Sequence, residues 1–276
     1  MHSTTFFTLA ALSGASLAAA AGAIQARAPP AHLLRWVCTG ADSDDIPDVC
    51  NNMCFATNCK GNPVNLYWDQ PGDTKKGQRS RKAGCGTAHT CDTSPSVDEQ
   101  CDEYPFASTS TADTVSASYS RCVPRLQNNR QGQALRQFYN SQGSFDDVGL
   151  GGNKGAFSIS FANEGGIQYC GDAPNCANDG HEYTSGGLAR RAGFDNNVGR
   201  VANGTYYQLS NGETMHAPGG AKIGDIVHTP KSINKTLAHE YARDHVYDPE
   251  QGLEQYEYMQ HNMFTEQATV VGVGQQ

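Results

Sequence analysis

The stretch RLQNNRQGQALRQFYN, residues 125–140, carries the clearest periodic pattern in the chain. Leu126, Ala134 and Phe138 recur at the spacing that brings apolar side chains to one face of an α-helix. Gly132 interrupts the middle, where a glycine costs up to about 1 kcal/mol relative to alanine. The pattern therefore predicts a helix over 125–140 whose most regular part follows Gly132.

Strand signals lie on both sides of this helix. AFSISF, 156–161, alternates as a half-buried strand does, and PVNLYW, 63–68, is a short extended piece. The composition then turns to Gly, Asn, Asp and Tyr, so we expect 164–236 to be irregular or β-rich and 237–265 to include helix. The chain as a whole is predicted to be an α+β protein with a boundary near residue 163.

The amino-terminal sequence has the features of an export signal. FFTLAALSGASLAAAAGA is apolar, rich in Ala and ends in small residues, which predicts a signal peptide over residues 1–22. A membrane anchor is the alternative, and the small residues argue against it. The triplets beginning at Asn203 and Asn234 are acceptors for N-glycosylation. We therefore expect a secreted, extracellular glycoprotein.

The chain contains ten cysteines, an even number that fits an oxidised framework. Eight of them fall between residues 38 and 122, and their pairing cannot be read from the sequence. Cys170 and Cys176 stand apart from the rest and are predicted to pair with each other. Zinc binding by Cys50, Cys54 and Cys59 is the alternative, but these positions lack paired CxxC units.

Charge is distributed unevenly along the chain. The formal net charge of −8 argues against a nucleic-acid partner when taken alone. Residues 74–145, however, hold nine basic and six acidic residues, a net charge of +3, and the acids cluster between Asp92 and Asp113. A carboxylate centre with basic arms suits an enzyme that binds a polyanion and brings a metal ion to it. A solvated basic face is the alternative.

Two adjacent carboxylates stand inside the segment QCDEYPFAST, residues 100–109. Hydrolysis of a phosphodiester needs a group that activates water, a cation for the developing charge, and donors for phosphate. Asp102 and Glu103 would face opposite sides of an extended segment, so a turn at Pro105 is needed to bring both to a substrate. The alternative is an acidic turn beside a disulfide.

Other motifs in the chain are weaker. HEYARDH, 239–245, lacks the second histidine four positions after His239 that a zinc peptidase helix requires. GLGGNKGA, 149–156, lacks the Lys-Ser or Lys-Thr pair of a phosphate-binding loop and is predicted to be a glycine-rich turn.

CDEYPFAST, 101–109, followed by CVPRLQNNRQG, 122–132, and a strand such as FSISF resembles the NucA/NucB family of secreted deoxyribonucleases, in its fungal, cysteine-rich form. The resemblance covers about 38–163. It implies a compact ββα-metal-like nuclease core with disulfide-stapled loops, a deoxyribonuclease domain over 31–163, and an acidic, irregular C-terminal extension over 164–276.

The resemblance also implies roles for individual residues. Glu103 matches the family's general base, Asp102 its preceding aspartate, and Asn128 its helical asparagine, with Asn129 or Gln137 as alternative amide ligands. Asp102 and Asn128 would hold a divalent cation, Mg²⁺ or Mn²⁺. Bacterial members carry an arginine where this chain has Cys101. This departure suggests that phosphate binding has moved to arginines of the following strand and helix, namely Arg121, Arg125 and Arg130.

The sequence therefore predicts a secreted, metal-dependent DNA endonuclease that acts on DNA without an obligate protein partner or a membrane. Two alternatives remain. One is a non-catalytic, cysteine-rich binding or effector protein on the same scaffold. The other is a metallopeptidase centred on His239.

Overall fold

A computed structural model describes residues 32–39, 45–141, 149–171, 173–189, 205–232 and 263–274. The predicted signal peptide, the two glycosylation sites at Asn203 and Asn234, and the HEYARDH segment lie outside these residues. Predictions about them therefore stay predictions.

The described residues form eleven strands and four α-helices. The helices are α1 (Pro47–Cys54), α2 (Asp73–Ala83), α3 (Thr111–Thr114) and α4 (Arg125–Asn140), and α1 continues as a π-helical turn, Phe55–Cys59. The strands are β1 (Leu33–Val37), β2 (Asn65–Trp68), β3 (Glu99–Tyr104), β4 (Tyr119–Pro124), β5 (Gly155–Ala162), β6 (Tyr183–Thr184), β7 (Gly187–Leu188), β8 (Thr205–Leu209), β9 (Thr214–Ala217), β10 (Ile226–Ser232) and β11 (Met263–Val273).

The larger sheet closes on itself. Its strand order is β1-β10-β11-β8-β9-β5-β2, and β1 also pairs in parallel with β5. Six strands thereby form a ring, and β2 is attached to the outside of β5. Apolar side chains fill the interior of this ring, among them Leu33, Tyr207 and Val270.

The smaller sheet has the order β3-β4-β6-β7, which leaves β3 at its edge. β3 and β4 are antiparallel, with Asp102 opposite Arg121 and Glu103 opposite Ser120. Helices α1 and α4 pack on the Asp102 face of the sheet, and α2 packs on the Glu103 face, where Ser120 Oγ donates to the Ala83 carbonyl at 2.7 Å.

The main hydrophobic core lies between the two sheets, around α1 and α4. Phe138 on α4 packs edge-on against Phe157 on β5, and both rings are fully buried. On the other side of α4 and α1, Tyr104 and Val123 contribute the buried face of the smaller sheet. Ala134 and Phe138 of the predicted apolar face are thus fully buried between the two sheets, whereas Leu126 is exposed at the start of the helix.

The mixed α+β class is confirmed. Helix α4 spans the predicted residues and continues through Gly132 without a break, and β5 contains the predicted strand 156–161. Asp102 and Glu103 lie on a strand that ends at Tyr104, and the expected bend follows at Pro105. The two carboxylates stay on opposite faces of the strand. β3 and β4, joined through the short helix α3, are two antiparallel strands, and α4 follows β4 directly.

The predicted Cys170–Cys176 disulfide is wrong. Cys170 pairs with Cys54, and Cys176 pairs with Cys59. Cys54 and Cys59 are five residues apart, at the end of α1 and the end of its π-helical turn. Both contact the segment that contains Cys170 and Cys176. The other three pairs are Cys38–Cys50, Cys85–Cys101 and Cys91–Cys122, so that every cysteine is oxidised.

The segment after residue 163 is closely connected to the segment before it. Strands β9 and β10 pair with β5 and β1, and two disulfides cross residue 163. The division into two domains at this point stays a prediction. In the part of the chain that the structure describes, every helix is too short or too polar to cross a membrane.

Candidate active site

The free edge of β3 forms the floor of a cleft of about 750 Å³ between α2 and α4. All of the residues that line it fall between Trp68 and Asn140. Three predicted site residues are among them, Asp102, Glu103 and Asn128. Because β3 is an edge strand, side chains on both of its faces border the same opening.

Asp102 lies on the face covered by α1 and is nearly inaccessible to solvent. Asn52 Nδ2 on α1 donates to its Oδ2 at 2.9 Å and to its backbone carbonyl at 3.1 Å. Burial raises the pKa of Asp102 well above its ordinary value, the hydrogen bond from Asn52 opposes this, and the charges of Glu103 and Glu182 add to it. Asn52 therefore fixes the orientation of this carboxyl group.

Glu103 lies on the opposite face, beneath α2. Its Oε1 accepts a hydrogen bond from the Ala107 amide at 3.3 Å, and its Oε2 is 3.9 Å from Cys85 Sγ. Burial raises the pKa of Glu103 to about 7, against the opposing hydrogen bonds of the Ala107 amide and the Ser80 hydroxyl. A carboxyl group of this kind exchanges its proton near neutral pH.

Helix α4 presents Asn128, Gly132 and Arg136 to the cleft, each four residues from the next and therefore on one line along the helix. Asn128 Nδ2 donates to Gln100 Oε1 at 2.9 Å, which leaves the amide oxygen of Asn128 available as a ligand. Asn129 also lines the cleft. Gln137 is buried and does not line the cleft, so the amide candidates at the cleft are Asn128 and Asn129.

The three arginines predicted to bind phosphate do not line the cleft. The guanidinium of Arg121 is nearly buried and donates at 2.8 Å to both Asp179 and Glu182. Arg121 lies opposite Asp102 on the same face of the smaller sheet, where these two carboxylates bind it.

The other two arginines lie elsewhere on α4. Arg125 Nε pairs with Asp98 at 2.5 Å, and Arg130 donates to the Asp45 carbonyl at 3.2 Å.

Two cationic residues do line the cleft, Lys76 on α2 and Arg136 on α4. Both belong to the basic window over residues 74–145, but neither is among the residues individually predicted to bind phosphate. Arg136 stands eight residues after Asn128. That spacing was the signal that could have found it, because residues eight apart share one face of a helix.

Helix α2 is anchored by an ion-pair network. Arg79 is almost fully buried and contacts the carboxylates of Asp69 and Asp113, each at 2.7 Å. Lys82 Nζ donates to the Ala112 carbonyl at 2.6 Å. Arg79 and Lys82, two basic residues of α2, therefore hold this wall of the cleft in place.

A second cluster of possible metal ligands contains His89, Cys91 and Cys101. Both cysteines are consumed in disulfides, so neither offers the thiolate that a metal ion requires. The His89 ring stacks on Tyr183 with ring centroids 4.0 Å apart, and burial lowers its pKa. These contacts indicate a packing role.

The described residues define an α+β protein with a carboxylate and amide site at a sheet edge. Residues 53–147, which contain every residue that lines the cleft, match the model of the family described as Deoxyribonuclease NucA/NucB. This match confirms the resemblance inferred from the motifs over residues 53–147. No curated protein and no solved structure matches the chain.

Proposed function

We propose that the protein is a secreted, metal-dependent endonuclease that hydrolyses phosphodiester bonds in DNA. The observation that carries this proposal is the convergence of Asp102, Glu103 and Asn128 on one cleft inside the NucA/NucB segment. The five disulfides and the apolar leader support secretion, because disulfides persist in oxidising compartments.

Glu103 is the general base in this proposal. The most effective base has a pKa near the working pH, and burial beneath α2 brings the pKa of Glu103 to about 7. The Ala107 amide holds one carboxylate oxygen, so the group is oriented before substrate arrives. The neighbouring Asp102 lies on the other face of the strand, where Asn52 orients it, and it is proposed as a ligand of the cation.

The donor set at the cleft fits a hard divalent cation, Mg²⁺ or Mn²⁺. Asp102 offers a carboxylate, and Asn128 offers an amide oxygen, the ligand types that such ions prefer. When bound, the cation would stabilise negative charge on the phosphodiester. The antiparallel pair β3 and β4, followed by α4, is consistent with the ββα-metal arrangement that the family resemblance implies.

Plasmid nicking with and without chelator tests this function. The change Glu103→Gln keeps the shape of the side chain and removes the base, so we expect the rate with Mg²⁺ or Mn²⁺ to fall about 10²-fold or more. Glu99→Gln is the matched control, because Glu99 lies on the same strand and face but does not line the cleft. It is expected to leave the rate within about twofold.

Two results would contradict the proposal. Unchanged nicking by Glu103→Gln would remove the assigned base, and full activity in excess chelator would remove the metal. Failure of the unaltered protein to nick DNA under any metal would favour the non-catalytic binding protein on the same scaffold.

A further inference from the structure

Two cationic side chains face each other across the cleft. Of the described residues that line it, Lys76 on α2 and Arg136 on α4 are those with a positive charge. Other basic residues of the same helices, such as Lys75 and Arg125, are paired with Asp113 and Asp98 outside the cleft. Lys76 also pairs with Asp73 at 3.4 Å, but both side chains are solvent-exposed, and an exposed pair of this kind contributes little. Lys76 and Arg136 are thus the basic residues that the cleft presents to a ligand.

The position of Arg136 along α4 determines which group it can reach. An α-helix rises 1.5 Å per residue, so Arg136 stands about 12 Å along the helix from Asn128 and about 6 Å from Gly132. A phosphate held between Asp102 and Asn128 is thus about two turns away from the Cα of Arg136. The guanidinium is accordingly placed for a phosphate group next to the one that is cleaved.

The guanidinium of Arg136 has a buried polar neighbour. Its Nη2 donates to Gln133 Oε1 at 2.8 Å, and Gln133 is itself buried and lines the cleft. A guanidinium retains further N–H donors after one such bond and forms strong, directed hydrogen bonds to phosphate oxygens. Gln133 is therefore a positioning residue for Arg136.

Between Asn128 and Arg136 the wall of the cleft is bare. A Cβ atom added at Gly132 would meet no heavy atom within 4 Å, so the space above this glycine is open. Gly77, next to Lys76, also lines the cleft from the opposite wall. The space at Gly77 is less open, because an added Cβ would lie 3.4 Å from Arg81 Nη1. The bare wall at Gly132 therefore lets an extended backbone approach α4 between the carboxylates and Arg136.

We propose that Arg136, with Lys76 on the opposite wall, binds the phosphates that flank the scissile phosphodiester. The site then recognises a run of successive phosphates along a polynucleotide strand and discriminates against isolated phosphodiesters. This inference rests on the proposed nuclease function and specifies its substrate as a polyanionic strand held on both sides of the bond that breaks.

Binding of DNA by the inactive Glu103→Gln protein in excess chelator gives the first test. The affinity for a fluorescent DNA oligonucleotide is measured over a range of salt concentrations. Adding Lys76→Ala and Arg136→Ala should lower the slope of log affinity against log salt by about one for each lost phosphate contact. The matched control is Lys75→Ala with Lys154→Ala, which removes the same charge outside the cleft and should change the slope by less than half as much.

Hydrolysis supplies the second test. Arg136→Ala should reduce kcat/KM for DNA by about 10- to 100-fold, the usual range for one charged hydrogen bond. Its rate on bis(4-nitrophenyl) phosphate, a single diester without neighbouring phosphates, should stay within about twofold of the unaltered protein. Glu103→Gln should lose activity on both substrates.

If the two double variants changed the slope equally, the inference would be overturned. Equal changes would indicate long-range electrostatic attraction and no local contact with phosphate. So would equal losses of Arg136→Ala activity on DNA and on the small diester. The binding test needs no turnover, so it still gives an answer if the nuclease function itself fails.

Discussion

Arg79 joins three elements of the fold through one guanidinium. It extends from α2 to Asp69, which follows β2, and to Asp113 on α3, and its side chain is almost fully buried. Hydrogen bonds from Arg79, together with Lys75, lower the pKa of Asp113 to about 2 against the cost of partial burial. The position of one cleft wall therefore depends on an aspartate that stays ionised.

This pKa shift predicts how stability depends on pH. The folded state holds the pKa of Asp113 below its ordinary value of 3.8, so the unfolded chain binds more protons as the pH falls. The contribution of Asp113 is fully present above about pH 4 and is lost between pH 4 and 2. Urea unfolding at pH 4, 3 and 2 should show a smaller loss of unfolding free energy in Asp113→Asn than in the unaltered protein.

Asp73→Asn is the control for this measurement. Asp73 also pairs with a lysine of α2, but its side chain is fully exposed, and exposed pairs contribute little. Its substitution should leave the acid dependence unchanged. An identical dependence for Asp113→Asn and the unaltered protein would show that Arg79 does not hold this carboxylate ionised.

At the scale of elements, α2 is also tied to β3 by the Cys85–Cys101 disulfide. Cys85 follows the end of α2, and Cys101 lies on the same face of β3 as Glu103. The disulfide therefore fixes the helix above the carboxylate that is proposed to act as base. Three features locate this wall: the disulfide, the Arg79 network and the contacts of Lys82.

Removal of this disulfide should lower both the stability of the protein and its activity on DNA, whereas removal of another disulfide should lower stability only. Cys85→Ala with Cys101→Ala should lower the free energy of unfolding by about 3 kcal/mol and should also reduce kcat for DNA in the fraction that remains folded. Cys59→Ala with Cys176→Ala removes a disulfide that does not line the cleft and should reduce stability alone. Equal kcat values for the two double variants, each corrected for the folded fraction, would contradict a role of the disulfide in placing α2.

The periodicity of α4 and the alternation of β5 were sufficient to predict both elements, because each pattern is local and its apolar face is buried in the main core. The location of β3 at a sheet edge was not predictable, since it depends on the pairing of β4 with β6, about sixty residues further along the chain. For the same reason Asp102 and Glu103 were expected to need a turn. An edge strand lets both faces border one cleft without any turn.

At the scale of the whole molecule, residues on both sides of position 163 complete one another. Strand β1 pairs with β10, and β5 pairs with β9. Cys54 forms a disulfide with Cys170, and Cys59 forms one with Cys176. Behind the site, Glu182 accepts a hydrogen bond from Arg121. Arg121 on β4 lies opposite Asp102 on β3, so both side chains are on the same face of the sheet. The motif residues were recognisable locally, whereas Lys76 and Arg136 became site residues only when α2 and α4 packed on opposite faces of β3.

A fragment of residues 32–163 should therefore be much less stable than the whole chain. It lacks the partners of two disulfides that close loops of more than a hundred residues, and each such loop is worth about 4 to 5 kcal/mol in the chain-entropy model. We expect no cooperative thermal transition above room temperature, as followed by near-ultraviolet circular dichroism. A fragment that unfolds cooperatively at the temperature of the whole chain would show that 32–163 is self-sufficient.

The parallel neighbours of β1 have a consequence for biosynthesis. Leu34 lies beside His228 in the finished sheet, and a ribosome working at 5 to 20 residues per second needs about 10 to 40 s to pass from one to the other. During that interval the edge of β1 that later pairs with β10 has no partner strand. An unpaired strand edge can pair with another chain, so slow synthesis of the second half lengthens the time during which the nascent protein is open to association.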